Sequence, residues 1–166
     1  AALPLPLPLG GINLNTPGLG AFARRSGIIF LRRSFQDNEI YKATFRRYID
    51  YLIEKRFSLL WALEGTRSRT NEMLPFRNGA FRLAIETGAP ILPLAVHGTR
   101  TAIRKGSMKF GNADVVVRVL EPVPTTGLGP EDLDELRMTV RRNIEDARAA
   151  LERDYGTLSD VVVPPA

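Results

Sequence analysis

Apolar residues along this chain fall into two patterns. Short continuous runs occur at Gly27-Ile28-Ile29-Phe30-Leu31, Ser58-Leu59-Leu60-Trp61-Ala62-Leu63, Ile91-Leu92-Pro93-Leu94-Ala95-Val96 and Val115 to Leu120. Runs of this length, bounded by Gly, Pro or polar residues, read as buried strands. Pro93 has no N–H for a ladder, so its strand belongs at a sheet edge or a bulge. Elsewhere the spacing is helical. Tyr41, Thr44, Phe45, Tyr48, Ile49, Leu52 and Ile53 share one face of a helix from Glu39 to about Arg56, capped by Asp37 or Asn38, with Lys42, Arg46 and Arg47 opposite. Pro17 to Arg25 predicts a short helix with Leu19, Phe22 and Ala23 on one face, and Gly79 to Ile85 another, stopped by Gly88 and Pro90.

The last helix opens at Gly129-Pro130-Glu131-Asp132, with proline in the first turn and acidic residues at the positive end of the dipole. Leu133, Leu136, Val140, Ile144, Ala147 and Leu151 then form one long stripe. Between strand and helix, Gly65 to Asn78 is a polar loop. The leader Leu3-Pro4-Leu5-Pro6-Leu7-Pro8-Leu9 cannot be helical and is expected to be extended, near polyproline II. A chain that starts this way, without an initiator Met, looks like a cut made inside a longer protein. Strands alternating with helices predict an α/β fold, a mixed β-sheet layered with helices. With 166 residues, the expectation is a single domain over 1–155 and a frayed tail over 156–166.

Composition narrows the chemistry. The absence of cysteine removes disulfides and thiolate catalysis, and a single histidine argues against a transition-metal site. No apolar stretch approaches the ~20 residues a membrane-spanning helix needs. The net charge of +5 fits either an arginine-rich soluble domain or a surface that meets anionic lipid, phosphorylated substrates or nucleic acid.

Chemistry concentrates at strand ends. The run that closes on Leu63 leads into Glu64-Gly65-Thr66-Arg67-Ser68-Arg69. In alternating α/β chains ligands bind at the carboxyl ends of strands, and guanidinium donors there suit a phosphate or carboxylate. Gly65 permits a sharp turn, and Thr66 can bond a ligand or the turn itself. The competing reading is a solvated turn with its charges paired to neighbours. Gly27 to Ser34 repeats the arrangement, delivering Arg32 and Arg33 after a strand, so two strand ends can converge on one anion.

The ordered set of motifs resembles the glycerolipid acyltransferases. Gly-x-x-Phe-x-Arg-Arg-Ser at 27–34 and Glu-Gly-Thr-Arg-Ser-Arg at 64–69 are similar to the second and third blocks of glycerol-3-phosphate and lysophosphatidic acid acyltransferases. Leu74 to Phe81 is similar to the stretch after the third block, and Ile91 to Val96 to the fourth. His97-Gly98-Thr99 and Arg104-Lys105-Gly106-Ser107 match the bacterial lysophosphatidate branch, and the likeness runs from about Gly11 to Leu151. The resemblance implies a glycerol-3-phosphate acyltransferase-like domain in phospholipid biosynthesis. The reaction would be an O-acyl transfer from acyl-CoA or acyl-carrier protein to 1-acyl-glycerol 3-phosphate, with no metal or redox cofactor. Arg32, Arg33 and Arg67 would hold the acceptor phosphate, and Glu64, Gly65 and Thr66 would shape its site. Phe30 and Pro93 would belong to the acyl-chain and thioester region.

The family's base is the histidine of a His-x-x-x-x-Asp motif, and none precedes Phe30. His97 has Ala102 five positions on and reads as a strand-end residue. The motif is expected upstream of Ala1, with a membrane-anchoring segment, so this chain alone is expected to be inactive. Ala62 stands where a proline is common before the third block, and Arg32 is like the glycerol-3-phosphate branch, which keeps that acceptor as an alternative. A non-catalytic lipid-binding relative is a further one. A basic nucleic-acid module, suggested by Arg24-Arg25, Arg32-Arg33, Arg46-Arg47 and Arg141-Arg142, is a remote one, because Phe45 and Tyr48 follow core spacing; nucleic acid is not expected as a partner. The expected partners are a phosphorylated glycerol, an acyl thioester and an anionic membrane surface, at the cytoplasmic face of a membrane.

Overall fold

From Leu7 onward the leader is a strand and not polyproline-like; Leu3 to Leu5 lie outside the described residues. In the computed structural model, Leu7–Gly11 is a strand, β1, at the centre of a three-stranded parallel sheet. Pro8 is tolerated because Leu7 N donates to Ser58 O at 2.8 Å on the edge where Leu7 lies opposite Leu59 and Pro8 opposite Leu60, so the Pro8 nitrogen is turned to the opposite edge, one residue before pairing begins there. The other edge of β1 pairs from Leu9 onward, with Leu9, Gly10 and Gly11 opposite Ile29, Phe30 and Leu31. The structure describes residues 6–11, 15–17, 19–31, 39–66, 68, 70, 72–99, 102 and 111–156. Residues 1–62 and 63–166 form two compact units.

In the first unit, β1 is followed by α1 (Leu19–Arg25), β2 (Ile29–Leu31), α2 (Glu39–Glu54) and β3 (Leu59–Leu60). The sheet order is β2-β1-β3. β3 is shorter than the run Ser58–Leu63 predicts, because only its first residues find a partner in β1. Ile49 and Leu52 bury the inner face of α2, and Ala23 that of α1. Phe22 does not join them: it is 70% exposed. The proposed capping residues Asp37 and Asn38 lie outside the described residues.

Both helices end in the same way. Ile28 N donates to Ala23 O at 3.0 Å and Gly27 N to Arg24 O at 3.1 Å; Phe57 N donates to Leu52 O at 2.9 Å and Arg56 N to Ile53 O at 2.8 Å. These paired bonds turn the chain out of the helix through a left-handed residue. At α1 that residue is Gly27, φ +79°, where a Cβ would also press on the Leu7 side chain at 3.1 Å. At α2 it is Arg56, φ +57°, which accepts a conformation that costs a side chain roughly 1–2 kcal/mol.

The second unit contains α3 (Gly79–Thr87), β4 (Leu94–His97), β5 (Val116–Val119), a 3-10 turn at Pro130–Asp132 and α4 (Leu133–Tyr155). The stripe foreseen on α4 is its buried face: Leu136, Val140, Ile144, Ala147 and Leu151 pack with Phe76, Phe81 and Ala95. Asp132 accepts the Gly129 N–H at 2.7 Å at the start of this helix, and Arg118 of β5 pairs with Asp154 near its end at 2.9 Å. β4 and β5 are antiparallel, with Leu94 opposite Val119. Beyond Pro93 the register slips, because Ile91 bridges Val123 and so Leu92 and Pro93 face three residues, Leu120 to Pro122. That is a bulge, as a proline in this strand requires.

Among the described residues Thr125 is the buried polar side chain, 1% exposed. Its hydroxyl shares one hydrogen between the carbonyls of Ala84 at 3.0 Å and Ala89 at 2.9 Å. It thereby satisfies the C-terminal end of α3, where carbonyls lack helical partners. Replacing Thr125 by Val keeps the shape and removes the donor, and should destabilise the fold by about 1–3 kcal/mol. Denaturant unfolding should show a lower midpoint at unchanged slope, with Thr125→Ser recovering most of the loss; an unchanged midpoint in Thr125→Val would refute this role.

Candidate active-site loop

The loop between Leu63 and Asn78 is held by charged groups and by its own backbone, with little regular structure of its own. Leu63 O accepts from Arg77 N at 2.8 Å, closing its base. One step inside, the half-buried Glu64 carboxylate accepts the Leu74 N–H at 2.9 Å through Oε2. Gly65 turns the chain with φ +68°, and its missing side chain faces Arg77, whose Cγ lies 3.4 Å from where a Cβ would stand. A sequence of local bonds comes next: Thr70 N to Ser68 Oγ at 3.2 Å, then Glu72 N to Thr70 Oγ1 at 3.3 Å. Such hydroxyl-to-backbone bonds supply turn structure without a helix or strand.

Helix α4 holds the returning limb. Arg141 Nη1 donates to Leu74 O at 2.8 Å and Nη2 to Met73 O at 3.1 Å. Its guanidinium lies 5.4 Å from the Phe76 ring centroid and pairs with Glu145 at 2.8 Å. One turn earlier, Arg137 donates to Asn78 Oδ1 at 2.6 Å and pairs with Asp134 at 2.9 Å. Phe76 is buried and stacks on Phe81 with ring centroids 6.3 Å apart. Met73, Pro75, Phe76, Arg137, Met138 and Arg141 line an open cavity of about 390 Å³.

The expected site residues therefore divide. Glu64 and Gly65 shape the loop, Glu64 by bonding backbone, and Thr66 is exposed at the loop surface. Arg32, Arg33 and Arg67 lie outside the described residues. Phe30, half-buried in β2, has the Arg24 guanidinium 5.7 Å from its ring centroid. Pro93 is buried at the bulge before β4, and its carbonyl accepts from Leu120 N at 3.0 Å. His97 ends β4, and its Nε2–H donates to Gly156 O at 2.9 Å, a strand-end role. Among the described residues no group of His, Cys, Asp or Glu is placed to hold a metal ion.

Arg137, Asn78 and Arg141 are the residues that sequence reasoning missed. Arg141 reads as one half of a surface doublet with Arg142. The signal that separates the two is position: Arg137 and Arg141 are four apart and directly follow Leu136 and Val140 of the buried stripe. Residues that border a helix's buried face reach the elements packed on it.

An acyltransferase-family model matches residues 5–97, more than half of the chain. The chain belongs to the acyltransferase family, and its relatives place it with the glycerolipid acyltransferases. It is 35% identical over 153 residues to the 1-acyl-sn-glycerol-3-phosphate acyltransferase of Saccharomyces cerevisiae, covering 90% of this chain and 49% of that protein. It is 43% identical over 77 residues to the glycerol-3-phosphate acyltransferase of Pseudomonas aeruginosa, covering 46% of this chain and 9% of that protein. The crystal structure of the 1-acyl-sn-glycerophosphate acyltransferase PlsC from Thermotoga maritima superposes with a TM-score of 0.68 at 28% identity, covering 89% of this chain and 57% of that one. The α/β fold is thus that of an acyltransferase. The chain spans about half the length of the yeast relative.

If Glu64 fastens the loop through Leu74, Glu64→Ala should speed hydrogen exchange at the Leu74 amide about tenfold or more, the equivalent of one charge-assisted bond. Glu64→Gln, which keeps an acceptor oxygen but loses the charge, should fall between Glu64→Ala and wild type. Equal exchange in all three proteins would remove the fastening role.

Proposed function

We propose that the protein containing this chain transfers a fatty acyl group to the hydroxyl of 1-acyl-glycerol 3-phosphate, in phospholipid biosynthesis. The observation that carries this reading is the likeness to the yeast 1-acyl-sn-glycerol-3-phosphate acyltransferase over 90% of the chain. The likeness to glycerol-3-phosphate acyltransferases covers less than half of the chain, so glycerol 3-phosphate is the second candidate acceptor.

In this reading the acceptor hydroxyl oxygen attacks the thioester carbonyl carbon, a base takes the hydroxyl proton, and the C–S bond breaks to release a thiol. Arg33 and Arg67, with Arg32 beside them, bind the acceptor phosphate; guanidinium groups suit it because their paired donors match phosphate oxygens. Glu64 and Gly65 fix the loop on which Arg67 is carried, and Thr66 adds a hydroxyl donor at its surface. Phe30 and Pro93 belong to the region that receives the acyl chain. The thioester is already activated, so no metal or redox cofactor is needed. His97 is not the base in this reading: its Nε2 is engaged with Gly156, and no carboxylate stands where the family motif has one.

Thiol release from long-chain acyl-CoA and acyl-carrier-protein thioesters, with each acceptor offered separately, tests the proposal in the full open reading frame taken to its initiator Met. Arg67→Ala should raise the KM for the acceptor about tenfold or more, since each charge-assisted bond to phosphate is worth roughly 1.5–3 kcal/mol. Unchanged acceptor affinity and turnover would remove Arg67 from the site. Silence with both acceptors and both donors, and no His-x-x-x-x-Asp in that frame, would favour a non-catalytic lipid-binding relative.

The proposed place of work is the cytoplasmic surface of an anionic membrane. The net charge of +5 supports it, and among the described residues no helix is long and apolar enough to cross a bilayer. Sedimentation with vesicles should increase with the fraction of anionic lipid and weaken with salt. Binding indifferent to anionic lipid would contradict this.

A further inference from the structure

We infer that Arg141 of helix α4 is a positioning residue for the acceptor site, acting on the 64–78 loop from outside it. The inference rests on the reading of that loop as the carrier of the phosphate-binding Arg67.

An arginine on a helix surface can satisfy its charge with a carboxylate one turn away, and Arg141 does so with Glu145. Nothing in that pair requires the loop. Yet the same guanidinium donates to two consecutive main-chain carbonyls, Met73 and Leu74, and lies over Phe76. The flat fork of a guanidinium can meet two carbonyls at once, and a lysine ammonium offers no such fixed pair. Both Nη atoms are thereby occupied, so Arg141 is built to hold backbone and not to bind a ligand anion.

Leu74 is the pivot. Its carbonyl is held by Arg141 and its N–H by Glu64, one cation and one carboxylate on either side of the same residue. The route runs from α4, through Leu74, to the residue that opens the Glu-Gly-Thr-Arg segment. A loop of this length without regular structure must be ordered at some stage, and ordering it only when ligand arrives subtracts from affinity. Fixing it beforehand moves that cost into folding. The effect of Arg141 should therefore fall on acceptor binding, leaving the bond-making step and the thioester site alone.

Steady-state kinetics of the full-length enzyme test this, with acceptor and acyl donor varied in turn for Arg141→Met, Arg141→Lys and Arg67→Ala. Arg141→Met should raise the acceptor KM about tenfold, the scale of lost charged bonds to backbone, with kcat and donor KM within about twofold. Arg141→Lys, which keeps the charge and the Glu145 pair, should fall between Arg141→Met and wild type; it carries the test if Arg141→Met does not fold. Millimolar methylguanidinium should restore part of the acceptor affinity of Arg141→Met and leave wild type unchanged.

An unaltered acceptor KM in a folded Arg141 variant would overturn the inference. So would a loss of kcat in step with the folded fraction, without guanidinium rescue. If Arg67→Ala raises the acceptor KM and the Arg141 variants do not, the inference falls and the proposed function stands. If neither does, or if the wild-type enzyme is silent with both acceptors, the reading of the loop falls and this inference falls with it.

Discussion

Burial of one face of α4 is the interaction on which residues 63–166 depend. Leu136, Val140, Ile144 and Leu151 are nearly or fully removed from water, and each such side chain contributes roughly 1.5–3 kcal/mol relative to exposure. They cluster with Phe76, Phe81 and Ala95 of β4, so one helix gathers a loop, a second helix and a strand. The same burial fixes the rotation of α4 about its own axis. With Leu136 and Val140 turned inward, Arg137 and Arg141 have to flank the core, within reach of the loop that Phe76 anchors. Packing and polar contacts are therefore one arrangement: the apolar stripe orients the helix, and the helix orients the arginines.

Elements with a strong period were legible in the chain. The stripe on α4, the spacing of Ile49 and Leu52 on α2, and the strand after Gly27 needed no tertiary information, because each buries a face written into its own residues. What was not legible depends on partners distant in sequence. β1 carries prolines that suggest polyproline structure, and it becomes a strand only because β2 and β3 supply neighbours on both sides. Phe22 has helical spacing, yet among the described residues it stays exposed. The bulge at Pro93 was foreseeable, since a missing N–H can be placed in few positions in a ladder.

The candidate site shows the same division. The Glu-Gly-Thr-Arg segment is recognisable from its residues, whereas the part of Glu64 that binds Leu74 backbone is a matter of loop geometry. Arginines invite a reading as anion ligands, and several in this chain serve structure: Arg24 lies over Phe30, Arg118 pairs with Asp154, and Arg137 and Arg141 secure the loop. Counting arginines thus overstates the contacts available to an anionic partner, because a guanidinium spent on carbonyls or rings keeps its charge but has fewer donors left to offer.

The order β2-β1-β3 has a geometric result of its own. The chain steps from β1 to β2 on one side, then returns past β1 to reach β3 on the other. Right-handed crossovers in opposite directions must place their helices on opposite faces of a parallel sheet. Where the direction of winding reverses, the connections leaving the carboxyl ends part from each other and open a crevice that no side chain has to be removed to create. Here that reversal falls between β1, which ends in Gly10-Gly11, and β3, which runs on toward Trp61. Where a ligand groove of such a sheet can open is in this way set by the winding itself, before any residue is chosen to line it.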